Sequence, residues 1–287
     1  MEERVRRHPR RRRTRRRWRP PRFLRQLVRV LRAPRYTLGL LWVAIRHPRL
    51  VLDGLRNGWR PALLRYCTGL APELEGAFTR YEAGFFGQVF VFDEYEVSRL
   101  RLPGSPVVID VGANVGFFTW KVHSLRPSAR IFACEPQSDN LRRLRSVYQA
   151  LHIDGAVCPE ACGKADGEAT LYLHSSVTHS LDPEWHSDLG SGTTETVPVT
   201  TLDKLCGSRG IQGVDLLKID TEGAEVDVLS GALDTLRHTR YVVLEYHSPE
   251  LKEQCLRLLT AAGFHCRCKT FWGLGEGGEG LLLCARS

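Results

Sequence analysis

Two acids and two glycines at fixed spacing carry the first recognisable chemistry in this chain. Asp110 follows the apolar, β-branched run Val107–Ile109, and in the turn after it Gly112 and Gly116 bracket Ala113, Asn114 and Val115. A strand that passes through a glycine turn into a helix, here from Phe117, lets a ligand approach the backbone beneath the unpaired amides of the helix start. Open α/β sheets hold their ligands at strand carboxyl ends, which is where Asp110 puts its carboxylate. The arrangement is that of a nucleotide-type cofactor site. A dinucleotide turn reads G-x-G-x-x-G, its second glycine making room for a pyrophosphate. Here D-x-G-x-x-x-G puts Ala113 and Asn114 in that space, and the leading acid repels a pyrophosphate but suits an ammonium. S-adenosylmethionine is a ligand of that kind. Glu135 closes the next apolar run, Ala129–Cys134, where an acid accepts both ribose hydroxyls of a nucleoside. Asp110, Gly112, Asn114, Gly116 and Glu135 are the candidate cofactor residues.

A second polar group gathers further along. The run 214–219 delivers Asp220, the turn after it Glu222, Gly223 and Glu225, and the run 240–245 delivers Glu245 and then His247. Lys218 shares a strand face with Asp220 by the period of two; it either neutralises these acids or acts directly. Glu225 is equally placed as an acid in the first turn of a helix. With a sulfonium methyl donor, the protein has only to align the acceptor and remove a proton. Asp220, Glu222 or His247 is expected to be the base for a small-molecule hydroxyl. A histidine has a suitable ordinary pKa, whereas a carboxylate needs burial among like charges. Mg²⁺ accepts an oxygen-rich set such as Asp220, Glu222, Glu245 and His247. Acid clusters also hold amines and hydroxyls, so no metal is assigned.

The elements that must position these residues alternate. Strand 107–111, helix 117–126, strand 130–134, helix 139–150 and strand 155–161 lead to a hairpin turn at Asp166-Gly167 before Glu168–His174. Strand 197–200, helix 202–206, strand 214–219, helix 223–236, strand 240–245 and helix 249–262 follow, and 264–269 with 281–285 close the chain as an antiparallel hairpin. Ahead of the sheet, 50–80 reads as helical with breaks at Gly58, Pro61 and Pro72, and Gln88–Phe92 as a short strand. Ser138 or Asp139 is the expected N-cap of the second helix. Alternation of this kind means a parallel sheet with helices on both faces.

Five segments occur in an order that carries a family likeness: VVIDVGANVGFFTW (107–120), IFACEPQSDNLRRLRS (131–146), GKADGEATLYLH (163–174), VPVTTLDKL (197–205) and DLLKIDTEGAEVDVLSGA (215–232), closed by YVVLEYH (241–247). From about Phe92 to Glu245 the chain resembles the FkbM family of S-adenosylmethionine-dependent methyltransferases. The resemblance implies a class I, Rossmann-like α/β fold with a seven-stranded, mostly parallel sheet and a terminal antiparallel hairpin. It also implies O-methylation of a sugar or polyketide-type hydroxyl. Residues 101–287 are then the catalytic domain, 36–100 a helical extension and 1–35 a tail.

That tail holds 16 arginines against Glu2 and Glu3, a charge of +14 in a chain of +9, so the remainder is net acidic. Its first part is too charged to fold alone. From Phe23 to Leu31 apolar residues alternate with arginines, a pattern suited to an anionic membrane surface; phosphate of a nucleic acid is the weaker alternative partner, and an inert tail the bland one. The apolar run Tyr36–Ile45 is too short to span a bilayer and has no convincing cleavage site, which points to the cytoplasm, at most peripheral to a membrane. Nine cysteines without C-x-x-C or finger spacing read as free thiols in a reducing compartment. The segment Ser175–Thr194, rich in hydroxyls and histidines, is long enough for a lid over the acceptor. Competing functions are a silent cofactor-binding module, an RNA methyltransferase guided by the tail, and, more distantly, a nicotinamide oxidoreductase. The sequence leaves the oligomeric state open.

Overall fold

The computed structural model describes residues 45–74, 77–79, 82–175, 178–181, 193–270 and 278–286. The basic tail and most of the expected lid lie outside them. Helices α1 (Pro48–Asn57), α2 (Trp59–Leu70) and α3 (Glu82–Phe86) precede the sheet. Then come β1 (Val107–Val111), α4 (Phe117–Leu125), β2 (Arg130–Cys134), α5 (Ser138–Leu151) and β3 (Asp154–Cys158). Short strands β4 (Ala161–Cys162), β5 (Gly167–Ser175), β6 (Thr178–Ser180) and β7 (Thr193–Thr200) follow. The second half is α6 (Leu202–Ser208), β8 (Val214–Ile219), α7 (Glu225–Ser230), α8 (Leu233–Arg237), β9 (Thr239–Tyr246), α9 (Pro249–Ala261), β10 (Phe264–Lys269) and β11 (Gly280–Arg286).

The main sheet has the order β10-β11-β9-β8-β1-β2-β3; β9 through β3 are parallel, and β11 runs antiparallel to both its neighbours, β9 and β10. This is the class I methyltransferase fold. The chain leaves β1 toward β2 and β3, then returns to lay β8 and β9 on the other side. The carboxyl ends of β1 and β8 therefore flank the switch point where such sheets open a crevice. Alternation along the strands sorts residues to two apolar layers: Val108 and Leu216 face one, and Ile109, Val111, Leu217 and Ile219 the other. The N-terminal helices join the first layer through aromatic contacts. Phe78 lies 4.6 Å from Phe117 and Phe90 4.8 Å from Trp120 between ring centroids. The fully buried Glu82 is held to α5 by Arg143 at 2.6 Å. Burial pushes its pKa up, but the Arg143 guanidinium and the Thr79 amide outweigh that and hold it below the usual value.

Several local expectations are corrected. Gln88–Phe92 is no strand: Gly87–Val91 continues α3 as a turn of π-helix, sending Val89 to the layer of Phe117 and Val91 to that of Leu50. Pro61 breaks nothing, because it sits in the first turn of α2 where a missing N–H costs little. Gln137, not Ser138 or Asp139, caps α5 by accepting from the Asn140 amide, while Ser138 is engaged by Glu195. No hairpin forms at Asp166-Gly167. The strand breaks after Cys158, β4 pairs with β7, and β5 joins the other edge of β7 in a second sheet ordered β4-β7-β5-β6. Asp166 instead binds Thr200 at 3.0 Å and Lys204 at 2.9 Å. The expected helix 223–236 is two helices, because the Asp203 carboxylate takes the Asp234 and Thr235 amides and starts α8 afresh. The register of β10 and β11 sets Cys266 directly opposite Cys284, and the two form a disulfide, against the reading of all nine as free thiols. Six of the other cysteines are buried thiols, and Cys268 is exposed.

Candidate active site

At the end of β1, Asp110 is fully buried. The parallel register sets it beside Lys218, whose ammonium lies 3.2 Å from Oδ1, and Thr119 donates to Oδ2 at 2.8 Å. Its charge is thus met inside the fold, where it ties the glycine turn to α4 and β8; it lines neither of the clefts described below. Gly112 has φ 71°, and a Cβ there would stand 1.7 Å from the carbonyl oxygen of Asp220. Only glycine lets β1 and β8 end this close together. Gly116, with φ 91°, is the N-cap of α4 and packs under Leu144. Asn114, with φ 52°, donates its amide to Glu135 Oε2 at 2.8 Å, and Gln137 donates its amide to Oε1 at 2.9 Å. Burial raises the Glu135 pKa to about 7, against the pull of those two amides. A cleft opens here between Gly112, Asn114, Glu135, Asn140, Leu171 and His179.

The ends of β8 and β9 are built differently. Asp220 Oδ2 lies 3.4 Å from the Lys218 ammonium and accepts from the Tyr95 hydroxyl at 3.3 Å; the same hydroxyl donates to Glu245 at 2.9 Å. Burial pulls Lys218 down, but Asp110 and Asp220 more than restore it, so its pKa ends above the usual value. The turn after β8 carries Glu222 at φ 50°. Glu225, at the start of α7, accepts from the amides of Thr221 and Gly223 and from His247 Nδ1 at 3.0 Å. The first-turn role expected for Glu225 is real, and it also orients the histidine. His247 Nε2 faces Glu222 at 3.5 Å, Asp220 at 3.7 Å and Glu245 at 3.8 Å. Burial would lower the His247 pKa, but the Glu225 hydrogen bond and the carboxylates of Glu222, Glu225 and Glu245 raise it well above 6.5. Burial and the neighbouring Asp220 push Glu245 up to about 8.

These groups line a second cleft, whose other wall is apolar: Phe85, Val89, Phe117 and Phe118. Gly112, Asn114, Asp220 and Glu222 border both clefts. The structure thus places the candidate cofactor residues at one cleft or beneath it, and Asp220, Glu222 and His247 together at the other. Tyr95 and the apolar wall escaped the sequence reading. Tyr95 lies outside any periodic run, and its partners are 125 and 150 residues away. The position of Lys218 two residues before Asp220 was the one signal for its pairing. Among the described residues no helix is long and apolar enough to cross a membrane.

Residues 110–266 match the methyltransferase FkbM domain. The 2-O-methyltransferase NoeI of Sinorhizobium fredii is 30% identical over a stretch covering 56% of this chain and 71% of that protein. The hexuronic acid methyltransferase AglP of Haloferax volcanii is 28% identical over 59% of this chain and 69% of its own. The 31-O-demethyl-FK506 methyltransferase FkbM of Streptomyces tacrolimicus is 27% identical over 64% and 82%, respectively.

Proposed function

We propose a hydroxyl-directed reaction for this chain, which belongs to the methyltransferase FkbM family and is an S-adenosylmethionine-dependent methyltransferase: methyl transfer to a hydroxyl of a sugar or polyketide-type small molecule. The observation that carries this reading is the meeting of the two clefts at Gly112, Asn114, Asp220 and Glu222. A 2-O-methyltransferase and a 31-O-demethyl-FK506 methyltransferase among the relatives support oxygen as the receiving atom, and the hexuronic acid enzyme supports a sugar.

The residues present fit the cofactor. Each Glu135 oxygen has one lone pair on a backbone amide and another left for a ribose hydroxyl. Gly112 and Asn114 expose backbone in left-handed conformations at the cleft wall. Bound there, S-adenosylmethionine supplies a methyl group activated by a positively charged sulfur. In this reading Asp110 and Gly116 act from beneath, by fixing the turn. Asp220 and Glu222 orient the acceptor hydroxyl and take its proton as the C–O bond forms and the C–S bond breaks, its electron pair going to sulfur. His247 holds the two carboxylates in register. Residues 36–100 serve as the extension whose Phe85, Val89 and Tyr95 wall the acceptor cleft of the 101–287 domain, and the 1–35 tail meets an anionic membrane surface.

The test is methyl transfer from labelled cofactor by the full-length chain to a panel of glycosides and macrolide alcohols. Label in an ether, lost about a hundredfold or more in Asp220→Asn, is the expected result. Label found only on nitrogen, carboxylate or RNA, or an Asp220→Asn rate equal to wild type, would sink the reading.

A further inference from the structure

We propose that Tyr95 is a positioning residue for the transfer: its hydroxyl holds Oδ2 of Asp220 beside Lys218 and so leaves Oδ1 to meet the acceptor. The proposal deepens the hydroxyl-transfer reading and rests on it for the role of Asp220. Tyr95 is buried, its ring stands edge-on to Phe118 at 5.4 Å between centroids, and it lines the acceptor cleft. Its hydroxyl reaches Asp220 Oδ2 at 3.3 Å and Glu245 Oε2 at 2.9 Å. The Lys218 ammonium lies 3.4 Å from the same Oδ2, whereas Oδ1 is the oxygen turned toward His247, at 3.7 Å. The two oxygens of Asp220 are thereby told apart. A base acts best when it is held in one orientation within reach of the proton it takes.

The backbone that carries Tyr95 points the same way. In the turn 93–96, Asp93 at φ 48° and Glu96 at φ 52° are both left-handed without being glycine. Such conformations persist only where surrounding contacts over-determine them, and they gather at working sites. Here contacts come from two directions. Asp93 accepts from the amide and hydroxyl of Ser98, and β10 supplies Lys269 to Glu94 at 3.2 Å and Arg267 to Glu96 at 2.7 Å. A buried tyrosine needs one partner for its hydroxyl, yet this turn sets Tyr95 between two carboxylates. The hydroxyl has one proton to give and serves them in turn. Burial and Asp220 push Glu245 up to about 8. Once Glu245 holds a proton, its own O–H turns to the Tyr95 oxygen, and the tyrosine proton stays with Asp220. Asp220 Oδ1 then takes the acceptor's proton, the freed oxygen pair forms the bond to the methyl carbon, and the C–S pair returns to sulfur. The other charged groups facing this trio are Asp110 and Lys218 from β1 and β8, Glu222 from the turn after β8, and His247 after β9.

The test is Tyr95→Phe in the full-length chain, which keeps the ring and removes the hydroxyl. With an alcohol that the wild type methylates, kcat should fall about 10–100-fold while the acceptor KM and S-adenosylhomocysteine affinity stay within about threefold. The acid limb of the kcat/KM profile should move to higher pH by about half a unit or more, because the base has lost a donor to its charged form. A merely structural role would lower the rate equally at every pH. Fluorination of the Tyr95 ring makes the hydroxyl a stronger donor of the same shape and should move the limb the other way. It carries the test if Tyr95→Phe no longer binds S-adenosylhomocysteine. A wild-type kcat in Tyr95→Phe, or an acid limb unmoved in both variants, overturns the proposal. The acceptor is read separately, through crystal structures of wild type and variant with S-adenosylhomocysteine. A chain that methylates no alcohol refutes the hydroxyl reading. An Asp220 carboxylate oriented alike with and without the Tyr95 hydroxyl refutes the positioning role.

Discussion

The two sides of the switch point solve opposite problems. At the ends of β1 and β2 each acid is already answered: Asp110 by Thr119 and Lys218, Glu135 by two backbone amides. What remains on offer is shape, a left-handed turn of exposed backbone with spare lone pairs on one carboxylate. At the ends of β8 and β9, four carboxylates crowd around one imidazole, and Glu245 is pushed up to about 8 by burial and Asp220. In the proposed reading the first side recognises the cofactor. The second crowds carboxylates together, and in the same reading it takes up the acceptor's proton. On that reading binding and chemistry are separable, except at Gly112, Asn114, Asp220 and Glu222, which border both clefts.

The contact of Gly112 with Asp220 is where the comparison breaks most violently. Gly112→Ala forces a Cβ against the Asp220 carbonyl at a position with φ 71°. It should destabilise the protein by about 3 kcal/mol or more and abolish both cofactor binding and turnover. Thermal unfolding with calorimetric titration of S-adenosylmethionine checks it, and near-native stability would mean that the two strand ends have room to part. Asp220→Asn should act on one side only. Its kcat is expected to fall about 10²–10⁴-fold with cofactor affinity kept within about threefold, as for loss of a general base. A parallel loss of affinity would show that the two sides are one.

The positions of the residues at the ends of β1 and β2 were nearly all legible in the sequence, and those at the ends of β8 and β9 only in outline. Asp110, Gly112, Gly116 and Glu135 lie at the ends of adjacent apolar runs, so local spacing places them, and the observed bounds of β1, β2 and β8 match the runs closely. Asp220, Glu222 and His247 were legible as a rim, because two strands in a parallel sheet end side by side. Their charge states were not. Those depend on burial and on Tyr95 and Glu225, contacts made by tertiary packing. The π-turn at Gly87–Val91 was misread for a related reason. Apolar residues two apart suit a strand, but they serve equally when each packs into a different layer. The break of the expected hairpin at Asp166-Gly167 and the Cys266–Cys284 bridge both follow from pairing registers that no local pattern encodes.

Glu135 sharpens the comparison through pH. Its folded-state pKa, about 7, stands above its ordinary 4.5, so the stability it contributes is full below about 4.5 and is lost as pH rises through about 7. Cofactor binding should run the other way, improving over the same rise as the carboxylate forms to accept ribose hydroxyls. Glu135→Gln should flatten both slopes, and Glu135→Ala should weaken S-adenosylmethionine by roughly 10–100-fold, the worth of hydrogen bonds to a charged group. Urea unfolding and calorimetry at pH 5 and pH 8 measure the two slopes. If they share a sign, Glu135 is not the ribose acceptor.

The smallest effect asks whether recognition is truly a property of backbone. Gln137 serves the cofactor side twice: its amide donates to Glu135, and its side chain caps α5 by accepting from Asn140 at 2.7 Å. Gln137→Ala removes the cap and keeps the amide. Loss of an N-cap costs about 1 kcal/mol, a fall in Tm of about 2–4 °C for a domain of this size. If the β1–β2 end works through backbone geometry, cofactor affinity should change by less than about threefold and kcat not at all, because Asn114 and the Gln137 amide still hold both oxygens of Glu135. A tenfold loss of affinity at that small cost in Tm would mean that the start of α5 must be anchored by its side chain for Glu135 to be aimed. The recognising side would then depend on side-chain packing as fully as the reacting one.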